Sequence, residues 1–256
     1  MTVITSRDNP RVRRWRELVR DARERRKQKR ALIEGEHLVT AFLDSGKAVE
    51  EMILSKSGAE RFDALAKRSG RTPVVVGDAA FRSIADTESP TGISAEILLP
   101  ICGPDLKASA ACLLLEGIQD AGNVGAILRS AAAFGITDAM LGRGCADAWS
   151  PKVLRAAMGA HFSMRIAEAA NLAMEIANFR GKVLCTVPRS GVPLLDADLS
   201  GRVAWLFGTE GRGVSEALAA RASLRVSIPM KGETESLNVA AAAAICFYEY
   251  SRRAAR

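Results

Sequence analysis

The chain has 256 residues, 48% hydrophobic and 25% charged, the composition of a folded globular protein with room for one large domain or two ordinary ones. Its five cysteines (Cys102, Cys112, Cys145, Cys185, Cys246) are odd in number and never form a C-x-x-C pair, and His37 and His161 have no partners at ligand spacing; neither a disulfide framework, a metal site nor a Ser-His-Asp triad is suggested. The longest apolar runs, such as 239–247, are too short to span a bilayer and the first ten residues lack a signal-peptide core, so the expected location is the cytoplasm.

The first element is a basic helix. Residues 1–30 hold twelve Lys and Arg against four acids, while the other 226 hold 24 against 25, so the net charge of +7 is concentrated at the start. Asn9 and Pro10 read as N-cap and first helical residue, and Val12, Trp15, Val19 and Ala22 recur at helical spacing as a packing stripe. Arg11, Arg13, Arg14, Arg25 and Arg26 fall on the other faces. A solvated charged helix is the plain reading, but so unopposed a block would attract phosphates, and nucleic acid is the favoured partner.

An alternating series follows: helix "IEGEHLVTAFLDSG", strand "VEEMILS", helix "AERFDALAKRSG", strand "PVVVG", helix "DAAFRSIAD" and strand "GISAEILLP". "PICGPDLKAS" reads as a linker, which gives expected domains of 1–104 and 105–256. A second series runs from strand "ACLLLEGI" through "NVGAILRSAAAFG", "DAML", "SPKVLRAAMGA", "FSMRIA", "NLAMEIANFRG", "KVLCTV", "RVAWLFG", "SEALAARA" and "LRVSIP" to an alanine-rich final helix. Helices alternating with short apolar strands imply two α/β domains with mostly parallel sheets covered on both faces.

Three loops of the second series share one pattern, a strand running into glycine and small polar residues before a helix: "LEGIQDAGNVGAILRS", "LFGTEGRGVSE" and "IPMKGETESLNVAAAAAICFYEY". Ligands of open parallel sheets bind beyond the carboxyl ends of the strands, so the three point to one site. Gly208, Gly211 and Gly213 are not in dinucleotide order, and a P-loop reading puts Val214 where the lysine belongs, so an NTPase is not indicated. What remains is a loop open to close approach, with the Glu210 carboxylate among its glycines. In the first loop Asn123 is placed as an N-cap, and Arg129 is the lone cation of an otherwise apolar helix, either a snorkelling residue or a placed charge.

These segments, in this order, resemble the three motifs of the SpoU, or TrmH, family of SPOUT methyltransferases. The patterns are D-x-G-N-V-G-A-I-x-R-x-A at 120–131, F-G-x-E-G-x-G at 207–213 and I-P-M-x-G-x-x-x-S-L-N-V at 228–239. Ala121 stands where the family usually has proline, and Ala240 where a second serine often follows. The resemblance implies a C-terminal SPOUT α/β domain with a deep trefoil knot, preceded by a smaller α/β RNA-substrate-binding domain, and a homodimer formed through the catalytic domain. It implies methyl transfer from S-adenosyl-L-methionine to a ribose 2′-hydroxyl, of ribosomal RNA ahead of transfer RNA, with no metal. By resemblance Gly208, Ile228 and Leu237 contact the cofactor with Met230 and Ser236 near it, and Asn123, Arg129, Glu210, Ser236 and Asn238 are the catalytic positions. Arg129 matches the residue often proposed as base; as a guanidinium it could equally stabilise the alkoxide or hold a phosphate. Asn123 and Ser236 could instead be helix caps. Two other readings stand beside this one: a non-catalytic RNA binder of the same fold, which has no chemical reason to keep all five polar residues, and a SPOUT enzyme that methylates a base.

Overall fold

In the computed structural model, which describes residues 3–169, 171–232 and 234–254, the Asn9 side chain accepts the Arg11 N–H at 3.0 Å and Pro10 opens helix α1 (Pro10–Arg20). The basic block is two helices, not one. Asp21 leaves the helical conformation and its carboxylate accepts the Arg23 N–H at 2.7 Å, capping α2 (Ala22–Gln28). Val12, Trp15 and Val19 are buried along α1, as the spacing predicts, and Leu18 joins them, while Ala22 opens α2 and is half-buried.

"RALIE", expected in part as the start of a helix, is strand β1 (Arg30–Glu34); Gly35, at φ +96°, turns the chain into α3 (Glu36–Asp44). There follow β2 (Glu51–Ser55), α4 (Asp63–Arg68), β3 (Val74–Val76), α5 (Asp78–Arg82) and β4 (Ile93–Leu98). The sheet order is β1-β4-β2-β3, and β4 runs antiparallel to both neighbours, so this sheet is mixed where a mostly parallel one was expected. Trp15, Ile53, Val76 and Phe81 close its core.

The second sheet begins with β5 (Ala111–Leu115), α6 (Ala121–Ala133) and β6 (Asp138–Leu141). The chain then returns to the first unit for α7 (Pro151–Ala157), capped by Ser150, and a short 3-10 turn. There the Phe162 ring meets Phe42 edge-on at 5.1 Å and Arg155 pairs with Asp86 at 2.6 Å. The chain therefore divides into Met1–Leu99 with Trp149–Phe162, and Pro100–Ala148 with Ser163–Arg256, a partition that no single boundary at 104 describes.

The second unit continues with β7 (Arg165–Glu168), α8 (Leu172–Asn178), β8 (Lys182–Thr186), β9 (Val192–Pro193), β10 (Val203–Phe207), α9 (Glu216–Ala219), β11 (Leu224–Ser227) and α10 (Val239–Ala254). Its strands are ordered β7-β6-β5-β10-β8-β11-β9 and every pairing is parallel. The central β5 and β10 are buried throughout, as their unbroken apolar runs require. Cys112, Cys185 and Cys246 are buried, and burial pushes their thiols up to about 12, 11 and 12, which makes them packing residues and not nucleophiles. At the amino edge, burial opposes ionisation of Asp138, but hydrogen bonds from Arg165 (2.6 and 2.7 Å) and Ser109 (2.7 Å) outweigh it and hold the carboxyl below its usual range. Among the described residues no helix is long and apolar enough to cross a membrane, and no group of three His, Cys, Asp or Glu could hold a metal.

Candidate functional site

Because all seven strands run the same way, the loops that follow them emerge at one edge. The loop after β10 doubles back on itself: Thr209 and Gly213 exchange N–H···O bonds of 3.0 and 2.9 Å, with Gly213 at φ +68°. Gly208 sits under this turn, where a Cβ would lie 2.2 Å from the Gly213 carbonyl and the Val214 nitrogen. No side chain fits there. Glu116, at the end of β5, holds the loop at both ends: its N–H donates to Phe207 O at 2.9 Å and its carboxylate accepts the Ser215 N–H at 2.7 Å.

Beside this loop is a cleft of about 330 Å³. Gly208, Ile228, Met230, Ser236 and Leu237, the expected cofactor positions, all line it. So do Thr186, the last residue of β8, with Val187 and Pro188 after it, a stretch without glycine that the sequence does not mark as part of a site, and Arg212 and Glu235.

Asn123 links the three loops. Its Nδ2 donates to the Glu210 carboxylate at 2.7 Å, and its Oδ1 accepts from Asn238 Nδ2 at 3.0 Å. The cap expected at Asn123 belongs to Asp120, whose carboxylate accepts the Asn123 N–H at 2.8 Å, so the amide is free to bridge. Nor does Ser236 cap the last helix: Asn238 does, its Oδ1 accepting the N–H groups of Ala240 (2.9 Å) and Ala241 (3.3 Å). Arg129 is not brought to this cluster. It lies nine residues past Asp120, about 13 Å along the α6 axis, exposed and with no ion pair among the described residues.

Most of the arginines expected to bind RNA are otherwise engaged. Arg11 pairs with Glu51 at 2.7 Å; Arg14 pairs with Glu96 at 2.7 Å and Glu51 at 3.1 Å, and Arg30 also reaches Glu96. Glu96 is fully buried and accepts the Trp15 indole N–H at 2.9 Å, so these cations balance a charge inside the first unit. Arg25 is buried and donates to the Leu18 and Val19 carbonyls at 2.5 and 3.0 Å, satisfying the open end of α1 in place of the expected phosphate contact. Arg13 and Arg26 are exposed.

The cleft suits a ligand with an apolar ring system and a polar, charged tail. Val187, Val226, Ile228 and Leu237 supply apolar wall, Glu210, Arg212 and Ser236 supply polar groups, and its size lies within the range of about 300–1000 Å³ usual for small-molecule sites. S-adenosylmethionine has that character, and a glycine loop allows backbone amides to reach its polar atoms. A parallel sheet with such a cleft at its carboxyl edge marks the second unit as an α/β cofactor-binding enzyme domain.

The SpoU rRNA methylase family model matches residues 110–248, and the MRM3-like substrate binding domain model matches 9–95. The chain is 35% identical over 251 residues to the 23S rRNA (guanosine(2553)-2′-O)-methyltransferase RlmP of Bacillus subtilis, covering 97% of this chain and 98% of that protein. It is 35% identical over 198 residues to the 23S rRNA (guanosine-2′-O-)-methyltransferase RlmB of Bordetella pertussis, 76% of each chain. The AdoMet-bound rRNA methyltransferase of Sinorhizobium meliloti superposes with a TM-score of 0.83 at 25% identity over 98% of both chains. The chain belongs to the SpoU methylase family, RNA methyltransferases that use S-adenosylmethionine.

Proposed function

We propose that this protein methylates the ribose 2′-hydroxyl of a guanosine in 23S ribosomal RNA, in the cytoplasm, as a homodimer whose catalytic domains carry the knotted threading of the family. The observation that carries the reading is the bridge from Asn123 to Glu210 and Asn238 beside a cleft lined by all five expected cofactor residues. The names and coverage of the ribosomal RNA methyltransferase relatives support the substrate.

Bound S-adenosylmethionine supplies an electrophilic methyl group on a sulfonium. Gly208 would admit the loop backbone, Ile228 and Leu237 would hold the cofactor's apolar part, and Met230 and Ser236 would flank it. The Asn123 bridge ties Glu210 of the second loop to Asn238 of the third, so the walls keep their spacing while the hydroxyl approaches in line. Arg129 enters from a second copy. It is exposed on α6, and the adjacent α10 leaves Ala241, Ile245 and Tyr248 exposed at helical spacing, Ile245 by 41% and Tyr248 by 56%, an apolar stripe that a second protomer would cover. The guanidinium of Arg129 would stabilise the charge that develops on the ribose oxygen as its proton passes to water, or hold the adjacent phosphate.

The test is transfer of labelled methyl from S-adenosylmethionine to in vitro transcribed 23S ribosomal RNA and to transfer RNA, with wild type and Arg129→Ala, followed by nucleoside analysis and sedimentation. Expected are 2′-O-methylguanosine from the wild-type dimer alone and unchanged cofactor affinity in the variant. A base-methylated product would exclude the ribose, and a wild type that neither binds the cofactor nor transfers label would return the chain to non-catalytic RNA binding.

A further inference from the structure

Four cations stand on the loops at the carboxyl edge of the second sheet, three beside a glycine and Arg189 two residues before one: Gly142-Arg143-Gly144 after β6, Arg189-Ser190-Gly191 after β8, Gly211-Arg212-Gly213 after β10 and Lys231-Gly232 after β11. Arg143, Arg189, Arg212 and Lys231 are all exposed, and none of the four has a side-chain hydrogen bond or ion pair among the described residues. Among the described residues, three carboxylates of the same edge are committed elsewhere: Asp120 caps α6, Glu116 holds the Ser215 N–H and Glu210 holds Asn123. Glu235, on the rim of the cleft, pairs with none of the four.

Two of the turns are held in shape. Ser190 takes a left-handed conformation, φ +61°, which a non-glycine residue rarely adopts unless its surroundings impose it. The next residue is pinned, the Gly191 carbonyl accepting from Ser227 Oγ at 3.0 Å, and a Cβ there would lie 2.8 Å from the Ser227 nitrogen. Gly144 has φ +83°. Arg143 and Arg189 thus leave the sheet on turns of fixed geometry. From β6 to β11 is four strand spacings, about 19 Å, enough for several nucleotides of one strand to lie along the rim. Glycine beside Arg143, Arg212 and Lys231 leaves backbone N–H groups without side-chain cover, the other donor that phosphate oxygens use.

We propose that Arg143, Arg189, Arg212 and Lys231 form a phosphate-binding rim that holds single-stranded RNA across the mouth of the cofactor cleft. It rests on the reading of the chain as an RNA methyltransferase. The rim replaces the N-terminal block as the main electrostatic contact, because Arg11, Arg14 and Arg25 are spent on internal partners. Three further exposed cations of the unit, Lys107, Arg180 and Arg221, precede β5, β8 and β11 and so lie at the opposite edge of the sheet.

The test measures the affinity of full-length protein for unmodified 23S ribosomal RNA transcript at several salt concentrations, alongside cofactor affinity and methyl transfer. The variant R143Q/R189Q/K231Q removes three charges that do not line the cleft. It should bind cofactor as the wild type does, while the slope of log affinity against log salt falls by about 2, at roughly 0.7 per phosphate contact of a single strand. Adding Arg212→Gln should remove about 0.7 more. The control K107Q/R180Q/R221Q should leave the slope unchanged. An unchanged slope in the rim variant, or an equal drop in the control, overturns the rim while the methyltransferase reading stands. A wild type that binds neither cofactor nor RNA overturns both.

Discussion

Gly208→Ala tests the geometry of the cofactor loop most directly. The added methyl would lie 2.2 Å from the Gly213 carbonyl carbon and oxygen and from the Val214 nitrogen, whereas ordinary contact begins near 3.4 Å. The obstacle is backbone, which no rotamer change relieves, so the two sides of the turn must separate by roughly 1 Å, a displacement that can cost about a hundredfold in rate when it moves a reacting group. Overpacking of this kind destabilises by about 1–3 kcal/mol. At about 2 kcal/mol the midpoint of thermal unfolding should fall by about 4–8 °C for a unit of this size. Calorimetric titration with S-adenosylmethionine, steady-state methyl transfer and thermal melts would be run beside Gly211→Ala, in the same loop, where a Cβ meets nothing within 4 Å. Gly211→Ala should melt as the wild type does and lose less activity. Wild-type affinity and melting in Gly208→Ala, or equal damage from both changes, would refute the reasoning.

Two further outcomes follow from the ion pairs. Arg14→Ala removes a charged hydrogen bond from the buried Glu96 carboxylate and should destabilise by about 2 kcal/mol in urea unfolding, whereas Arg13→Ala, on the exposed face, should change stability by less than about 0.5 kcal/mol. Hydrogen bonds from Arg252, then Arg253, hold the Glu249 carboxyl at about 2, below its usual range. A depressed carboxylate stabilises the fold above its unfolded pKa, and that contribution is lost as pH falls. The stability difference between wild type and Glu249→Gln should therefore be flat above about pH 5 and shrink as pH falls from about 4.5 towards 2, read from denaturant midpoints across pH.

The second unit was the more legible in sequence because its devices are local. Unbroken apolar runs such as "ACLLL" and "VAWLF" mark strands buried on both faces, and glycine after a strand marks a loop that must come close to something. Thr186 to Pro188 could not be found this way, since they reach the cleft only through the pairing of β8 with β10 and β11. The first unit was read less well. The partners of Arg14, Glu51 and Glu96, lie 37 and 82 residues away, so the block looked unopposed in sequence although it faces buried acid in the fold. The helix expected from Ile33 begins instead at Glu36, because Ile33 and Glu34 suit either period and only the pairing with β4 places them in a strand. Asp120 and Asn123 are both good caps, and what separates them is the Glu210 carboxylate, 87 residues further on.

The return of residues 149–162 means that the first unit is assembled from two separate stretches of chain. A protease cutting in the 100–104 segment would sever the covalent route from β4 to β5, yet the first unit would keep its α7 face only while the rest of the chain stayed attached, through Phe162 on Phe42, Arg155 on Asp86 and Lys47 on the Phe162 carbonyl. The nicked halves should co-purify, and a fragment ending at residue 104 should lack part of its own core. The two units are interleaved along the chain, so replacing residues 1–99 alone would leave α7 and its 3-10 turn without the surface they pack on in the first unit.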